Sequence, residues 1–529
     1  MSQPWISTAA PPHNEQNHDY NHDHDLDDAD YKVDVEKGLT DVSESLPKRP
    51  TPAYFTTNPI TSIITEGHWP QTLPTGPEKS LPDPKNDVTK SIPRSPKSAN
   101  EASSRWTLFH LWFNTYRKFF ILCTSLNLAA MIAAGLGHFS YAVENSGAMV
   151  LGNLLFAVLV RNELFLRFLY LVTIYGLRSW APLRIRLAAT SALQHIGGLH
   201  SGCGLSAAVW LILKIIYMIR HRKMQHSSVI ATGVVTSTLI CVSVISAFPW
   251  IRNNHHNSFE RYHRFIGWLG VAMTWVFVIL GNINDAKYSK WQSSGKVLLS
   301  GQEVWFALGI TILVAIPWVT LREVSVQVEF PSPRVAILRF NRGMQQGLTG
   351  RISRTAIKEF HAFGIVSEGV DAPCHYMVCG VQGDFTRTLV SNPPKTVWTR
   401  QLKFAGVGHT STMYKRGIRV CTGTGIGASL STCIQSPNWF LIWIGSDQDK
   451  TFGPTISGLI HKYIEPERMI LWDTKKHGGR PDTTKLLKET YIAFRAEVVF
   501  ITSNRLGNDD MMQGCYTAGI PAFGTLWDF

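Results

Sequence analysis

The sequence predicts a helical membrane bundle of about six spans, followed by an antiparallel β-barrel and a doubly wound α/β domain. Three observations predict this order: long apolar runs occupy the middle of the chain, short alternating runs follow them, and strand–turn–helix repeats come last. We expect a disordered cytosolic tail at 1–104, the bundle at 105–321, the barrel at 322–416 and the α/β domain at 417–529.

Composition supports the tail and narrows the partners. Residues 1–104 are rich in Asp, His, Asn, Ser, Pro and Lys, and such a segment cannot bury enough apolar surface to offset chain entropy. The formal net charge is +13, but much of it flanks the apolar runs, as in cytosolic loops of membrane proteins. Nucleic acid is therefore not expected as a partner. The eight cysteines lack CxxC spacing, which favours reduced thiols over zinc sites or disulfides.

Six apolar stretches are long enough, or nearly so, to cross a bilayer, because the hydrocarbon core needs about 20 residues of helix. Arg161, Asn162 and Glu163 interrupt the second stretch, so they must face protein or mark a membrane boundary. A structural ion pair is the favoured explanation and a transport site is the alternative. The stretches lie near 119–141, 147–174, 187–219, 229–251, 263–283 and 301–320.

Basic residues near the first stretches predict that both termini are cytosolic. Arg117 and Lys118 precede the first stretch, the loop after it has no Lys or Arg, and the next loop carries Arg178 and Arg184. The basic third and fifth loops oppose this orientation, and we weigh the early segments more heavily. The chain is thus expected to be an integral, multi-pass protein of the lipid bilayer, in an organelle that the sequence does not specify.

The third and fifth stretches each begin with histidines at the same expected depth. LQHIGGLHSGCG supplies His195 and His200, and ERYHRFIGWLG supplies His263. Imidazoles from two facing helices can hold a haem iron in a helical bundle. Hydrogen bonds from these histidines to backbone or tyrosine groups are an alternative of equal weight.

The segment HRFIGWLG at 263–270 resembles the HRWLG signature that begins a haem-binding helix in ferric reductase and NADPH oxidase-like membrane proteins. Members of that family carry two stacked haems, so each ligating helix has a second histidine 13 or 14 residues on, about 20 Å deeper. Imidazole is missing there, and the resemblance therefore implies at most one haem b, at the inner level. The corresponding positions hold Ala208, Val209, Leu213, Lys214, Val276 and Phe277.

Several separated motifs extend the resemblance. With NHHNSFERYHRFIGWLG, QHIGGLHSGCG, GDFTRTLVSNPP and TLWDF, the chain from about 105 to 529 resembles fungal TmpA-type integral membrane proteins, which are relatives of the ferric reductases. The resemblance implies a membrane flavoprotein-like oxidoreductase associated with fungal development or secondary metabolism. It also implies a C-terminal module of the ferredoxin-reductase type, which binds FAD and NADH or NADPH. The electron acceptor is not fixed by the family.

EFHAFGIV is the candidate flavin segment of the barrel. His361, Phe363 and Gly364 match the family pattern His-Pro-Phe-Thr, whose strand lies along the flavin ring. Ala362 replaces proline and Gly364 replaces threonine, so the backbone can approach a planar ring closely but supplies no side-chain hydrogen bond. We predict bound FAD, and an empty barrel is the alternative.

GDFTRTLV follows a predicted strand and starts a helix, and it resembles the family's flavin-phosphate helix. Amide groups near Gly383, Phe385 and Thr386 can bind a pyrophosphate, with help from Arg387. An ordinary helix N-cap at Asp384 is the alternative.

VCTGTGIGAS is the candidate nucleotide turn. Gly423, Gly425 and Gly427 lie between the strand GIRVC and a helix of small residues, where the backbone can approach a phosphate. Asp447 and Asp449 follow the next strand and would repel a 2′-phosphate, which mildly favours NADH.

Two further features concern the nicotinamide and flavin rings. Ser503 and Asn504 stand where the family has a Cys-Gly pair beside the nicotinamide, which puts hydride transfer in doubt. The terminal Trp527 and Phe529 could place an aromatic ring over the flavin, although core packing explains them nearly as well.

Two classes of function follow. The first is a flavin-dependent oxidoreductase that passes reducing equivalents from NAD(P)H through FAD to one inner haem or to an unknown small-molecule acceptor. The second is a catalytically degenerate sensor or signalling protein that retains the fold, for which Gly364, Ser503 and the missing deeper histidines argue. A transport function would rest on Arg161 and Glu163 alone.

Overall fold

The fold is described from a computed structural model of the chain. The predicted tail at 1–104 and the C-terminal Trp527 and Phe529 lie outside the described residues. The described residues are 105–285, 290–291, 295–401 and 403–526.

Helices make up the first part of the described chain, as the long apolar runs predict. Two short strands, β1 (Asn284–Asp285) and β2 (Lys290–Trp291), pair in the connection between the helix that ends at Ile283 and the helix that begins at Gly295. The helices are α1 (Arg105–Trp112), α2 (Thr115–Gly135), α3 (Ser140–Glu144), α4 (Ser146–Leu159), α5 (Glu163–Leu177), α6 (Leu183–Gln194), α7 (Gly197–Arg220), α8 (Ser227–Ser246), α9 (Pro249–Asn254), α10 (His256–Ile283), α11 (Gly295–Ser300) and α12 (Gln302–Val319).

Five of these helices, namely α2, α7, α8, α10 and α12, are long and apolar enough to cross a membrane, and the bent pair of α4 and α5 is a sixth candidate. The third predicted stretch is wrong as one continuous helix, because α6 ends before His195 and α7 begins at Gly197. The physical reason lies in α6, whose Arg186 is buried against the C-terminal domain rather than facing lipid.

The interruption of the second stretch is a bend of 68° between α4 and α5. Asn162 caps α5, since its Oδ1 accepts hydrogen bonds from the amides of Leu164 and Phe165, while its Nδ2 donates to the carbonyl of Leu313. Glu163 forms the predicted structural ion pair, but with the barrel rather than with Arg161. The polar residues of this stretch therefore join the bundle to the next domain.

An antiparallel sheet follows, and it curls into a barrel. Its strand order is β3-β9-β6-β7-β8-β5-β4, and β10 pairs with β6. The edge strands β3 and β4 are consecutive in the chain and are separated only by Val326, so the sheet curls back on itself. The elements are β3 (Leu321–Ser325), β4 (Gln327–Ser332), β5 (Val335–Asn341), β6 (Leu348–Ser353), β7 (His361–Ser367), β8 (Cys374–Gly380), α13 (Asp384–Ser391), β9 (Thr396–Arg400) and β10 (Phe404–Ala405).

The last part has a parallel sheet of order β13-β12-β11-β14-β15. Every strand pair in this sheet is parallel, which requires the crossover helices that the sequence alternation predicts. The elements are β11 (Gly417–Thr422), α14 (Ile426–Gln435), β12 (Trp439–Gly445), α15 (Gln448–Tyr463), β13 (Met469–Asp473), α16 (Thr483–Phe494), β14 (Val498–Thr502), α17 (Arg505–Thr517) and β15 (Ala522–Phe523).

Helices cover both faces of this parallel sheet. Alternate strand residues such as Leu441 and Phe500 pack with α14 and α15, whereas their neighbours Ile442 and Ile501 pack with α16 and α17. Both faces of each central strand are therefore buried, which explains why WFLIWIG is a continuous apolar run. The arrangement is the doubly wound one that the alternation predicts.

Helix α6 joins the bundle to this α/β part. The Nη1 and Nη2 atoms of Arg186 donate to the two oxygens of the Glu497 carboxylate, at 3.0 and 3.1 Å. The Thr190 and Tyr414 hydroxyls are 2.7 Å apart, and Gln194 donates to the Gly524 carbonyl at 2.7 Å. Glu497 and Tyr414 precede β14 and β11, and Gly524 follows β15, so these contacts hold the amino ends of two central strands and the end of β15 against α6.

All eight cysteines are free thiols, and six of them are buried.

Candidate functional site

A cavity of about 3700 Å³ extends from the helical bundle to the C-terminal edge of the parallel sheet. His200 and His263 line its inner part, the β7 residues His361 and Phe363 line its middle, and Gly423 lines its far end. The candidate haem, flavin and nucleotide segments, which are far apart in the sequence, therefore share one space.

The turn after β11 forms the nucleotide end of the cavity. Gly423 has a positive φ of 51°, and a β-carbon there would meet open space. A β-carbon on Gly425 would stand 2.5 Å from the Thr502 carbonyl oxygen, so Gly425 lets the start of α14 approach β14. The first turn of α14 thus presents its amides to the cavity, as an anion site requires. Gly427 packs against β8, since its β-carbon would stand 3.1 Å from Val378 Cβ.

Hydroxyl groups line the cavity beside this turn. The Oγ1 of Thr422 and the Oγ of Ser503 are 2.8 Å apart, and they join the ends of β11 and β14. Ser503 is buried, and Asn504 caps α17 by accepting from the amide of Gly507. The family's Cys-Gly position is therefore occupied here by a hydroxyl and a helix cap.

The acidic residues after β12 are engaged within the protein. Asp447 pairs with the Lys475 ammonium, and Asp449 accepts a hydrogen bond of 2.8 Å from Ser457. Burial raises the pKa of Asp473, but hydrogen bonds from the amides of Lys475 and Asp447 outweigh burial and lower it. Because Lys475 offsets the charge of Asp447, repulsion of a 2′-phosphate is weaker than the sequence suggests. The preference for NADH stays a prediction.

His361, Phe385 and Phe363 form an aromatic stack in the middle of the cavity. The ring centroids of His361 and Phe385 are 4.2 Å apart at 22°, and those of Phe363 and Phe385 are 6.4 Å apart at 27°. The Nε2 atom of His361 is buried without a hydrogen-bond partner, and Glu359 Oε2 lies 3.5 Å from it. A buried ring nitrogen without a hydrogen-bond partner, on a residue that lines a cavity, could form a hydrogen bond with a polar group of a bound cofactor.

Gly364 is needed for a different contact from the predicted one. A β-carbon at this position would stand 2.4 Å from the Cα of Ala428 on α14. The close backbone approach at Gly364 is therefore made by helix α14, and a threonine at this place would displace that helix. Gly364 still lines the cavity beside Phe363.

The candidate phosphate helix α13 is placed as predicted, but its side chains are used locally. Gly383 is the N-cap instead of Asp384, and Thr386 Oγ1 accepts from the amides of Gln382 and Gly383 at 3.1 and 3.2 Å. Arg387 lies 3.9 Å from the Asp384 carboxylate, and its side chain is not among those that line the cavity. Phosphate binding by the first-turn amides stays a prediction, and so does the help from Arg387, whose side chain lies beside Asp384 in this structure.

His200 and His263 face each other across the inner part of the cavity. Their ring centroids are 6.4 Å apart, and the ring planes meet at 73°. The Nδ1 atom of His200 lies 2.9 Å from the Ala157 carbonyl oxygen, and that of His263 lies 3.2 Å from the Ser243 carbonyl oxygen. Each ring then has its Nε2 atom available to a metal, which is the usual arrangement of a ligating histidine.

His195, the third candidate, does not belong to this pair. Its Nδ1 lies 2.7 Å from the Ser191 carbonyl oxygen, and the residue does not line the cavity. The break between α6 and α7 turns it away from His200. His195 therefore does not share the cavity with the pair in this structure, and its place in the ligand set stays a prediction.

Glycines leave an open slot beside the histidine pair. Gly204 lies one helical turn beyond His200, and Gly267 lies one turn beyond His263. A β-carbon on Gly204, Gly267 or Gly270 would meet nothing within 4 Å. Both helices therefore present a flat backbone surface to the cavity, as a planar ligand needs.

The deeper level of the bundle is filled with side chains. Lys214 and Phe277, each 14 residues beyond a histidine of the pair, lie together, with the Lys214 ammonium 6.0 Å from the Phe277 ring centroid. Lys214 also lies close to Glu303 beside Gly147. Phe277 belongs to a packed apolar cluster with Leu211, Ile215 and their neighbours. A second planar ligand has no space at this depth.

Sequence reasoning missed Arg252 as a cavity residue. Arg252 is on α9, and its Nε is buried without a hydrogen-bond partner. The signal was a basic residue in PWIRNNHH, directly between an apolar span and the histidine-rich segment.

The sequence is similar to known reductases. Residues 407–529 match the family model described as the C-terminal domain of adenylate-forming reductase 03009. Adenylate-forming reductases 06235 and 03009 of Coprinopsis cinerea are each 32% identical, over 430 and 428 residues. Each match covers 80% of this chain but only 41% of the relative, so the chain spans about two fifths of their length.

Solved structures show a weaker likeness. The ferredoxin reductase of carbazole 1,9a-dioxygenase is 10% identical, with a TM-score of 0.31 over 39% of this chain and 69% of that protein. Phthalate dioxygenase reductase is also 10% identical, with a TM-score of 0.31 over 38% of this chain and 67% of that protein. The resemblance to TmpA-type membrane proteins stays a prediction.

Proposed function

We propose that the chain is a multi-pass membrane oxidoreductase that takes reducing equivalents from NADH or NADPH through FAD to an inner haem b or to a small-molecule acceptor. The observation that carries this proposal is the continuous cavity between the nucleotide turn, the stack on β7 and the His200–His263 pair. Both termini in the cytosol, and domains at 105–321, 322–416 and 417–529, belong to the same proposal.

The soluble part supplies the donor side. The first turn of α14 would bind the nucleotide phosphates, and the hydroxyls of Thr422 and Ser503 would contact the nicotinamide end. The first-turn amides of α13 would bind the flavin phosphates, and Phe363 and the Nε2 atom of His361 would orient the flavin ring. When bound, the flavin would accept a hydride and release electrons one at a time.

The bundle supplies a site for one haem. His200 and His263 would hold the iron through their imidazole nitrogens, and at about 2 Å from each nitrogen the two ring centroids would be roughly 6 Å apart. The observed 6.4 Å between His200 and His263 fits this arrangement. When bound, the iron would accept one electron at a time, and the open faces at Gly204 and Gly267 would accommodate the ring.

The names of the relatives agree with redox chemistry, because both are reductases. Their adenylate-forming activity concerns proteins more than twice as long as the matched region, and we do not assign it to this chain.

A sensor or signalling protein that has kept the fold is the second candidate. The observations that favour it are the contact of Ala428 at Gly364, where the family has a threonine, and the local engagement of Thr386 and Arg387.

The test is a visible absorption spectrum of the detergent-purified full chain, followed by NADH- and NADPH-driven dye reduction. We expect a flavin band, and a Soret band that His263→Ala abolishes and His195→Ala retains. Thr424→Glu adds a negative charge at the start of α14 and should lower kcat/KM for the nucleotide about tenfold relative to Thr424→Gln. A spectrum without flavin or haem bands, together with no dye reduction, would favour the sensor or signalling function.

A further inference from the structure

We propose that Arg161 and Arg252 form an anion site in the inner cavity, which binds the carboxylate or phosphate of a ligand with a flat or extended apolar body. This inference rests on the proposed function only in that the site shares the cavity with the His200–His263 pair. The sequence suggested a structural or transport role for Arg161, and none for Arg252.

Arg161 lies at the break between α4 and α5, one helical turn after Ala157, whose carbonyl oxygen contacts His200. Its side chain lines the cavity, and no hydrogen bond or ion pair engages it within the described part of the chain. It is within electrostatic range of both His200 and His263. The Arg161 guanidinium therefore lies in the same part of the cavity as the histidine pair, without a hydrogen bond or salt bridge to a described residue.

Arg252 reaches the same space from α9. It lines the cavity, its Nε is buried without a partner, and it is within electrostatic range of Arg161. Arg351 of the barrel is a third cation in range of Arg161. Two cations from separate elements, together with Arg351, which shares the charge of Glu163, thus lie within electrostatic range of one another.

The carboxylate that acts electrostatically on Arg161 is Glu163, and two other arginines already engage it. Glu163 is shared by Arg351 and Arg400, whose Nη1 atoms lie 2.8 and 2.5 Å from its Oε1. Glu260 lies 2.6 Å from Arg264. Two unpaired guanidinium groups in a partly enclosed space beside apolar helices are costly, because little water or counter-charge offsets them. An anionic ligand would remove that cost.

The walls around the arginines define the rest of the ligand. Leu239, Val244, Val271 and Ile310 line the cavity on the side of the bundle, next to the open face of Gly267. An occupant with an acid group at the arginines and an apolar body among these residues satisfies both surfaces. Arginine suits this task because its planar fork can bind both oxygens of a carboxylate or phosphate. Two sources have this chemistry, namely the carboxylates of a porphyrin and the head of a lipid-like acid.

The experiment measures binding to the full chain, stripped of bound chromophores, in detergent. The probes are protohaem, its dimethyl ester, which has the same ring without the acid groups, and oleate. The variants are Arg161→Gln, Arg252→Gln and the double substitution, with Arg222→Gln on the exposed α7–α8 connection as matched control. Unchanged thermal midpoints establish that the variants are folded.

We expect the unsubstituted chain to bind protohaem at least about tenfold more tightly than the ester, a difference of about 1.4 kcal/mol. The double variant should bind the two equally, Arg161→Lys should retain part of the preference, and Arg222→Gln should retain all of it. If neither porphyrin binds, the haem part of the proposed function fails, and arginine-dependent binding of oleate then supports the site with a lipid-like acid as its source. Equal binding of every probe to the unsubstituted chain and the double variant would overturn the inference.

Discussion

His200 and His263 differ from His195 in their surroundings rather than in their local sequence. Each member of the pair uses Nδ1 on a backbone carbonyl and lines the cavity, whereas His195 lies in a helix break and turns away. The same distinction applies to the arginines. Arg186 forms a salt bridge with Glu497, whereas the Arg161 side chain has no hydrogen bond or salt bridge to a described residue and lines the cavity. At this scale a residue type becomes a site only when its neighbours leave one of its atoms unused.

His375 gives a test of this principle in the barrel. Its Nδ1 lies 2.6 Å from the Arg342 carbonyl oxygen and its Nε2 is buried without a partner. Burial lowers the pKa of His375 from 6.5 to about 4. The His375 side chain therefore binds a proton more readily in the unfolded chain than in the folded chain. Its contribution to the free energy of unfolding is complete above pH 6.5 and is lost as the pH drops toward 4.

We predict that His375→Asn, which can keep the bond to the Arg342 carbonyl without titrating, flattens this acid dependence. The difference should reach about 3 kcal/mol in the free energy of unfolding at pH 4, since each pKa unit is worth about 1.4 kcal/mol. Denaturant unfolding in detergent between pH 4 and 7 measures it. His221→Asn, at an exposed position, should leave the dependence unchanged. Identical acid profiles for the chain and His375→Asn would contradict the prediction.

At the scale of elements, the glycines of VCTGTGIGAS have separate tasks that the motif does not reveal. Gly423 has a positive φ beside open space. Gly425 allows close approach to the backbone of β14, and Gly427 packs against Val378. The bend between α4 and α5 is similar, because its polar residues cap a helix and join two domains. An element is thus defined by what it approaches as well as by its own pattern.

The role of Asn162 as the N-cap of α5 can be tested by mutation. Asn162→Ala removes the acceptor for two amides of α5 and the donor to the Leu313 carbonyl, and we expect a loss of about 1–3 kcal/mol in stability. Asn162→Asp keeps the acceptor and should lose less. Asn145→Ala is the matched control, since Asn145 precedes α4 without a side-chain cap bond. Thermal midpoints in detergent measure these effects, and equal midpoints for Asn162→Ala and Asn145→Ala would contradict the role of the cap.

At the scale of the whole molecule, the cavity joins the barrel and the parallel sheet to one level of the helical bundle. Lys214, Phe277 and the apolar cluster around Leu211 fill the next level. Under the proposed function, reducing equivalents that enter from the α/β part would meet no second histidine pair at this level of the described helices.

We predict that sealed proteoliposomes reduce an impermeant acceptor only on the side that receives NADH or NADPH. The rate with external ferricyanide should exceed the rate with enclosed ferricyanide at least about tenfold, an energetic difference of about 1.4 kcal/mol. Permeabilisation with detergent should make the enclosed reagent react and serves as the control. Equal rates before permeabilisation would show that the filled outer level does not block transfer.

Much of the fold follows from sequence patterns because those patterns are local. Apolar length locates the helices, alternation locates β5 to β8, and the strand–turn–helix order indicates the parallel sheet. The division of the third stretch at His195 was not predictable, because Arg186 of α6 finds its partner Glu497 more than 300 residues later. The same limit applies to Gly364, whose neighbour Ala428 lies on helix α14, far along the chain.

By itself, the sequence determined the order of a helical bundle, an antiparallel barrel and a doubly wound domain, and it determined that imidazoles are absent at the deeper level. Periodicity and residue identity act over a few residues, so they are written in the chain. Only the tertiary structure decided that His200 and not His195 faces His263, and that Arg161 and Arg252 converge beside them. These outcomes depend on which distant groups satisfy each charge and each hydrogen bond, and burial makes that selection only when the whole chain is packed.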